Sequence, residues 1–230
     1  MSRVADGLTL IRLAFRLQLG NRFWLVLPVL LLWPLGNVLL LLVGWRQQAF
    51  IGADVQNYLT GLPLYCLAIG CGARLIASEA EKRTIEVGYT VPIGISTIWW
   101  AKYTAIALLL SAALLVLCTF NWLFLTEIPL MAVAGALLSA MFYLSLSMWF
   151  GAWFKNELLA GMASVAVLIV NLNNTGSKWL PLFNPLQQEQ LGAVQLQAQL
   201  LHNYLLLLVL ILCVVKHAHL LANNRERMLN

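Results

Sequence analysis

The chain has 230 residues, of which 61% are hydrophobic and only 10% charged. A soluble domain of this length carries about 25% charge, so too little polar surface is available to clothe a water-soluble globule and lipid is the natural solvent. The formal charge of +5 does not point to nucleic acid, because the basic residues sit beside apolar runs rather than in an aromatic-interleaved patch.

Residues 1–22 carry Arg3, Arg12, Arg16 and Arg22, while Leu8, Ile11, Phe15 and Leu19 recur at helical spacing. This pattern predicts a basic amphipathic helix in the membrane interface, with Arg12, Arg16 and Arg22 turned toward lipid phosphates. The next run, 23–43, is too long for the apolar core of a signal peptide, and no small-x-small site follows it. We read it as an uncleaved first span.

Six spans are predicted between residues 23 and 221, each needing about 20 apolar residues to cross a ~30 Å hydrocarbon core. They are 23–43, 58–76, 98–118 (running on toward Phe124), 130–150 (extending toward Phe154), 158–172 and roughly 200–215 with an amphipathic continuation. Pro28 and Pro34 predict kinks in the first span. Between the fifth and sixth spans, residues 173–199 include Trp179-Leu180-Pro181-Leu182-Phe183. That run is too apolar for a free loop, and short helices dipping into the outer leaflet are expected. Residues 222–230 are read as a cytoplasmic tail.

Charge sets the orientation. Arg3, Arg12, Arg16, Arg22, Arg74, Lys82, Arg83, Lys102, Lys155, Lys216, Arg225 and Arg227 fall on one side of the six-span plan. Only Arg46 and Lys178 fall on the other. The basic side is the cytoplasmic one, so both termini are expected inside. Tryptophans mark the same boundaries: Trp24, Trp99, Trp100, Trp149 and Trp153 inside, Trp45, Trp122 and Trp179 outside, with Trp33 alone in mid-span. The expected fold class is therefore all-α: a polytopic, multi-pass membrane protein.

The longest cytoplasmic connection runs from Arg74 to Lys102. Ser78 and Glu81 have capping-box spacing, a short helix is expected over 80–89, and Pro92 and Gly94 would end it. Ser96 is positioned to cap the third span. A charged helix tied to two spans in this way suits the transmission of motion into the membrane.

Here the chain resembles the permeases of the ATP-binding cassette type-2 exporter family, which carry Glu-x-Glu-x-Gly-Thr-Leu-Glu, a Pro six residues later and a Lys ten after that. This sequence has Glu79, Glu81, Lys82, Arg83, Thr84, Ile85 and Glu86, then Pro92 and Lys102 at those intervals. Arg83 replaces the family's usual Gly. The six-span architecture, the amphipathic start and the semi-inserted outer segment are shared as well.

The resemblance implies that residues 79–91 form a coupling helix seated in a groove of a separate cassette ATPase subunit, with Glu79, Glu81, Lys82, Arg83, Thr84, Ile85, Glu86, Tyr89 and Pro92 as the docking stretch. It implies a second permease copy or paralogue, a translocation path between the two, and ATP and Mg on the partner. The bacterial inner membrane is the implied location.

No phosphate-binding Gly-x-x-x-x-Gly-Lys-Ser/Thr loop occurs in the chain. No His-Glu-x-x-His metal motif occurs either, and Asp6 and Asp54, the only aspartates, lie outside the spans. No catalytic, metal or cofactor site is expected, and enzyme chemistry is disfavoured. Asn37, Ser111, Asn121, Ser139, Ser145, Ser147, Ser164 and Asn171 are expected to serve interhelical hydrogen bonds. Two alternatives stand beside the exporter reading: a haem-export-type permease of cytochrome c maturation, and a non-transporting membrane scaffold or assembly factor.

Overall fold

The computed structural model describes residues 25–45, 50–82, 95–184, 193–224 and 228. Its helices are α1 (Val26–Leu42), α2 (Gly52–Glu81), α3 (Ile95–Phe124), α4 (Leu130–Phe154), α5 (Glu157–Leu172) and α6 (Ala193–Asn223). Among the described residues there is no strand. Four helices are long and apolar enough to cross a membrane: α2, α3, α4 and the 195–223 part of α6. The other two, α1 with 17 residues and α5 with 16, are apolar but shorter. At 1.5 Å per residue α5 covers about 24 Å, less than a ~30 Å hydrocarbon core.

Local chemistry fixes several ends. Asn156 caps α5 by accepting a hydrogen bond from Leu159 N at 2.9 Å, and Glu157 adds a negative charge to the first turn. Lys155 turns left-handed, with φ at 53°, and makes a two-residue corner between α4 and α5. At the start of α2, Asp54 Oδ2 accepts from Ile51 N at 3.2 Å.

One turn of α2 is wider than an α-helix. Val55–Leu59 forms a π-helical turn, closed by Thr60 N donating to Val55 O at 3.0 Å. Side chains reach the carbonyls of this turn. Tyr65 donates its hydroxyl to Gln56 O at 3.1 Å, and Trp33 on α1 donates its indole N–H to Tyr58 O at 3.1 Å. Trp33, mid-span in sequence, thus has a specific polar partner.

The bundle is built around α4. It packs most extensively on α2 and also contacts α3, α5 and α6. Small residues make this possible. A Cβ on Gly72 would lie 2.6 Å from the Leu144 carbonyl oxygen, and one on Gly135 would lie 2.6 Å from the Gln56 amide nitrogen. Close backbone approach replaces the hydrophobic driving force that helices lack in lipid. Ser147 ties α4 to α2 by donating to Ile69 O at 2.8 Å, and Tyr103 on α3 meets Ser145 at 2.9 Å. Lipid-sized side chains such as Leu32, Leu115, Met162 and Leu212 remain exposed on the rim.

Several boundaries differ from those read in the sequence. Residues 80 and 81 are the last turn of α2, so no separate helix starts at Ala80. Ser78 is no cap, since its hydroxyl donates to Arg74 O one turn back at 2.6 Å. Ser96 likewise lies inside α3. Residues 193–199 belong to α6, and the described part of the outer segment, 173–184, consists of turns and irregular chain rather than short helices. The helix α6 continues to Asn223 with Ala222 buried, and Met228 joins the core. The amphipathic helix expected over 1–22, with Arg12, Arg16 and Arg22, lies outside the described residues.

The α2–α4 approach gives a direct expectation. Replacing Gly72 with Leu should destabilise the purified protein by about 1–3 kcal/mol, because overpacking must displace a backbone carbonyl. Gly161 has open space where its Cβ would be. Thermal unfolding in detergent should therefore show Gly161→Leu within about 0.5 kcal/mol of the parent.

Candidate functional site

The C-terminal ends of α2, α4 and α6 and the N-terminal ends of α3 and α5 meet at one end of the bundle. Of the described Lys and Arg residues, Arg74, Lys82, Lys102, Lys155 and Lys216 belong to this basic end and only Lys178 to the far end.

Two residues that flank the 83–94 connection come together there. Lys102 Nζ donates to Glu79 Oε1 in an ion pair between α3 and α2. The Lys102 side chain is almost fully buried, while that of Glu79 keeps 28% of its surface. Trp99, completely buried, donates its indole N–H to Glu79 Oε2 at 3.4 Å. A lysine removed from water in this way is held by the carboxylate it faces, since removing one partner leaves an uncompensated buried charge.

Further ties surround this pair. Arg74 Nε meets Glu157 Oε1 at 2.7 Å, joining α2 to α5. Asn156 donates its amide to Glu81 Oε1 at 2.6 Å, tying the α4–α5 corner to the end of α2. On the α6 side, Trp149 donates to His217 Nδ1 at 2.7 Å, and the His219 ring stacks on Trp100 with centroids 4.7 Å apart. His219 is buried, and neither ring nitrogen has a hydrogen-bond partner among the described residues.

The far end is organised differently. Side chains from three helices donate to carbonyls of the 178–183 stretch. Asn203 on α6 reaches both Lys178 O and Leu180 O at 2.9 Å, and Ser139 on α4 reaches Pro181 O at 2.6 Å. Asn57 and Gln56 on α2 reach Leu182 O and Phe183 O, each at 2.9 Å. Asn184 completes the clasp by donating to Ala53 O at 2.6 Å. Leu182 and Phe183 are fully buried beneath it, whereas Trp179 points outward under Lys178, 5.5 Å from the ring centre.

The docking residues implied by the sequence divide in two. Glu79, Glu81 and Lys82 are described, and they form the last turn of α2 with its cap rather than a free coupling helix. Glu79 faces inward onto Lys102 and Trp99, Glu81 is bonded to Asn156, and Lys82 is exposed. Arg83, Thr84, Ile85, Glu86, Tyr89 and Pro92 lie outside the described residues.

The polar residues singled out within the spans also separate. Asn121 bonds to Thr60, Ser139 to Pro181, Ser145 to Tyr103, Ser147 to Ile69 and Asn171 to Tyr143, all across elements. Asn37, Ser111 and Ser164 instead donate to carbonyls of their own helices. Gln56, Asn57, Asn184 and Asn203 were not singled out. The available signal was four amide side chains in otherwise apolar surroundings, a costly choice unless each finds a partner.

No family model, curated protein or solved structure matches the chain.

Two measurements probe the two ends. Glu79→Gln should cost about 2 kcal/mol of stability, below the 3–5 typical of a fully buried pair because Glu79 is partly exposed. Combining Glu79→Lys with Lys102→Glu should recover most of that loss in the same unfolding assay. At the far end, Asn203→Leu strips two partly buried carbonyls of a donor. Hydrogen-exchange mass spectrometry should then show amides of 177–184 opening at least about tenfold more often, as expected for a loss above ~1.4 kcal/mol.

Proposed function

We propose that this chain is the permease subunit of an ATP-binding cassette transporter, an exporter of the type-2 kind. It crosses the membrane six times with both termini in the cytoplasm, in the orientation that sets the basic end inside. Two copies, or this chain and a paralogue, enclose the path. A separate cassette ATPase supplies the energy and docks on the connection between α2 and α3.

The Glu79–Lys102 contact carries this reading. These residues are 23 apart in sequence and both belong to the spacing that resembles the family. Their pairing fastens together the two helices from which the 83–94 connection emerges. A partner that displaces the connection therefore moves α2 and α3 as one, rather than stretching a slack loop. Arg74–Glu157 and Glu81–Asn156 extend the same tie to α5 and to the α4–α5 corner. The scarcity of charge inside the bundle is a second support, because transporters driven by ion gradients generally carry ionisable groups at mid-membrane.

The short α5 fits a six-span plan as well. The 173–184 stretch follows it directly, and its buried part occupies the far end of the bundle, making up depth that 16 helical residues leave uncovered. Irregular backbone at membrane depth is tolerated where protein groups satisfy it.

Co-expression with a cassette ATPase tests the proposal. The two proteins should co-purify, and ATP turnover should rise with the permease present. Glu86→Lys should weaken the complex by at least about tenfold, the size expected when a docking charge is reversed. An intact complex with that variant, or labelling of residues 78–92 from the periplasmic side, would refute coupling through this connection.

A further inference from the structure

Beside the Arg74–Glu157 and Asn156–Glu81 ties, a groove runs from the basic end toward the middle of the bundle. It lies between α2 and α5, is open along its length to the surroundings of the bundle, and has a volume of about 750 Å³. Gly70 and Ala73 form its floor on α2, and Gly161, Met162, Val165 and Ile169 form its wall on α5. The two glycines keep it open, since a Cβ at either would meet nothing within 4 Å. Its polar groups sit at the basic end, where Glu81 and Glu157 enter the lining.

We propose that this groove seats one phospholipid with a primary-amine, zwitterionic headgroup, of the phosphoethanolamine type. Three observations select that occupant. The first is length. The lining runs from Leu158 to Ile169, about 16 Å at 1.5 Å per residue, which is half of a ~30 Å hydrocarbon core and hence the depth of one leaflet.

The second is charge. Two carboxylates repel a purely anionic head. Arg74, whose side chain is 57% exposed beside Glu157, sets a positive charge at the groove's rim and disfavours a purely cationic one. A zwitterion satisfies both sets, with its amine on Glu81 and Glu157 and its phosphate toward Arg74.

The third is donor capacity. Glu81 Oε1 is engaged by Asn156 and Glu157 Oε1 by Arg74, each through one contact, so both carboxylates keep acceptor sites. A primary ammonium offers three N–H donors to them. A quaternary choline head offers none.

The test uses the full chain, purified in a neutral detergent with phosphatidylethanolamine, phosphatidylcholine and phosphatidylglycerol at equal mole fractions. Native mass spectrometry reads which lipid stays bound. Phosphatidylethanolamine should be retained about tenfold over each of the others, the factor expected for one charge-assisted hydrogen bond. Gly161→Leu, which fills the groove from a position with space for it, should abolish that preference without lowering the unfolding temperature. Glu157→Gln should reduce it.

Equal retention of the three lipids overturns the proposal, as does a preference that survives Gly161→Leu. A disulfide joining two chains through Gly161→Cys, in a background with Cys66 and Cys213 replaced by Ser, also overturns it by assigning the groove to a second copy. No ATPase enters these measurements, so the lipid site and the coupling reading stand or fall separately.

Discussion

A backbone carbonyl packed away from water needs a donor from the protein itself, and this constraint shapes the far end of the molecule. Regular helix meets it internally along most of the chain. Two stretches do not: the π-helical turn Val55–Leu59 and the irregular run that ends at Asn184. Each is served by side chains from elsewhere. Tyr65 and Trp33 cover carbonyls of the π turn. Gln56 and Asn57, within that same turn, donate to Phe183 and Leu182. Side chains of the π turn thus satisfy the irregular run, while Tyr65 and Trp33 satisfy the turn itself.

The same reasoning explains why α4 is central. Between helices in lipid there is no hydrophobic gain, so close contact and hydrogen bonds must hold them. Gly72 and Gly135 permit the close contact, and Ser139, Ser145 and Ser147 supply bonds to three different elements. At the basic end charge replaces packing. Lys102 is buried because Glu79 receives it, and Trp99 covers the pair from the side.

Much of this was legible in the sequence, for identifiable reasons. Apolar run length located the apolar helices, of which four are long enough to cross a membrane and α1 and α5 are shorter. The serines of α4 stood out as small polar residues in an apolar helix, and their bonds follow from the cost of leaving them unpaired. The ends were harder. Ser78 and Glu81 have the spacing of a cap, yet both lie in the last turn of α2, where Ser78 bonds back to Arg74 O. The clasp on 178–183 was illegible because its donors come from Gln56, Ser139 and Asn203, far apart in the chain. No local pattern announces that a carbonyl needs them. Glu79 and Lys102 were noted for their spacing alone, and their meeting depends on how α2 and α3 cross.

The uneven packing around α4 has a mechanical corollary. The helices α2, α5 and α6 each pack closely on α4, and the tight corner at Lys155 leaves no slack within the α4–α5 hairpin. By comparison α3 touches α4 and α6 lightly and leans on α1 and α2. The molecule thus resembles a stiff frame flanked by a less tightly packed pair, α1 with α3. The salt link from Lys102 to Glu79 ties that pair to the frame at the basic end, so a pull on either helix there is shared by both.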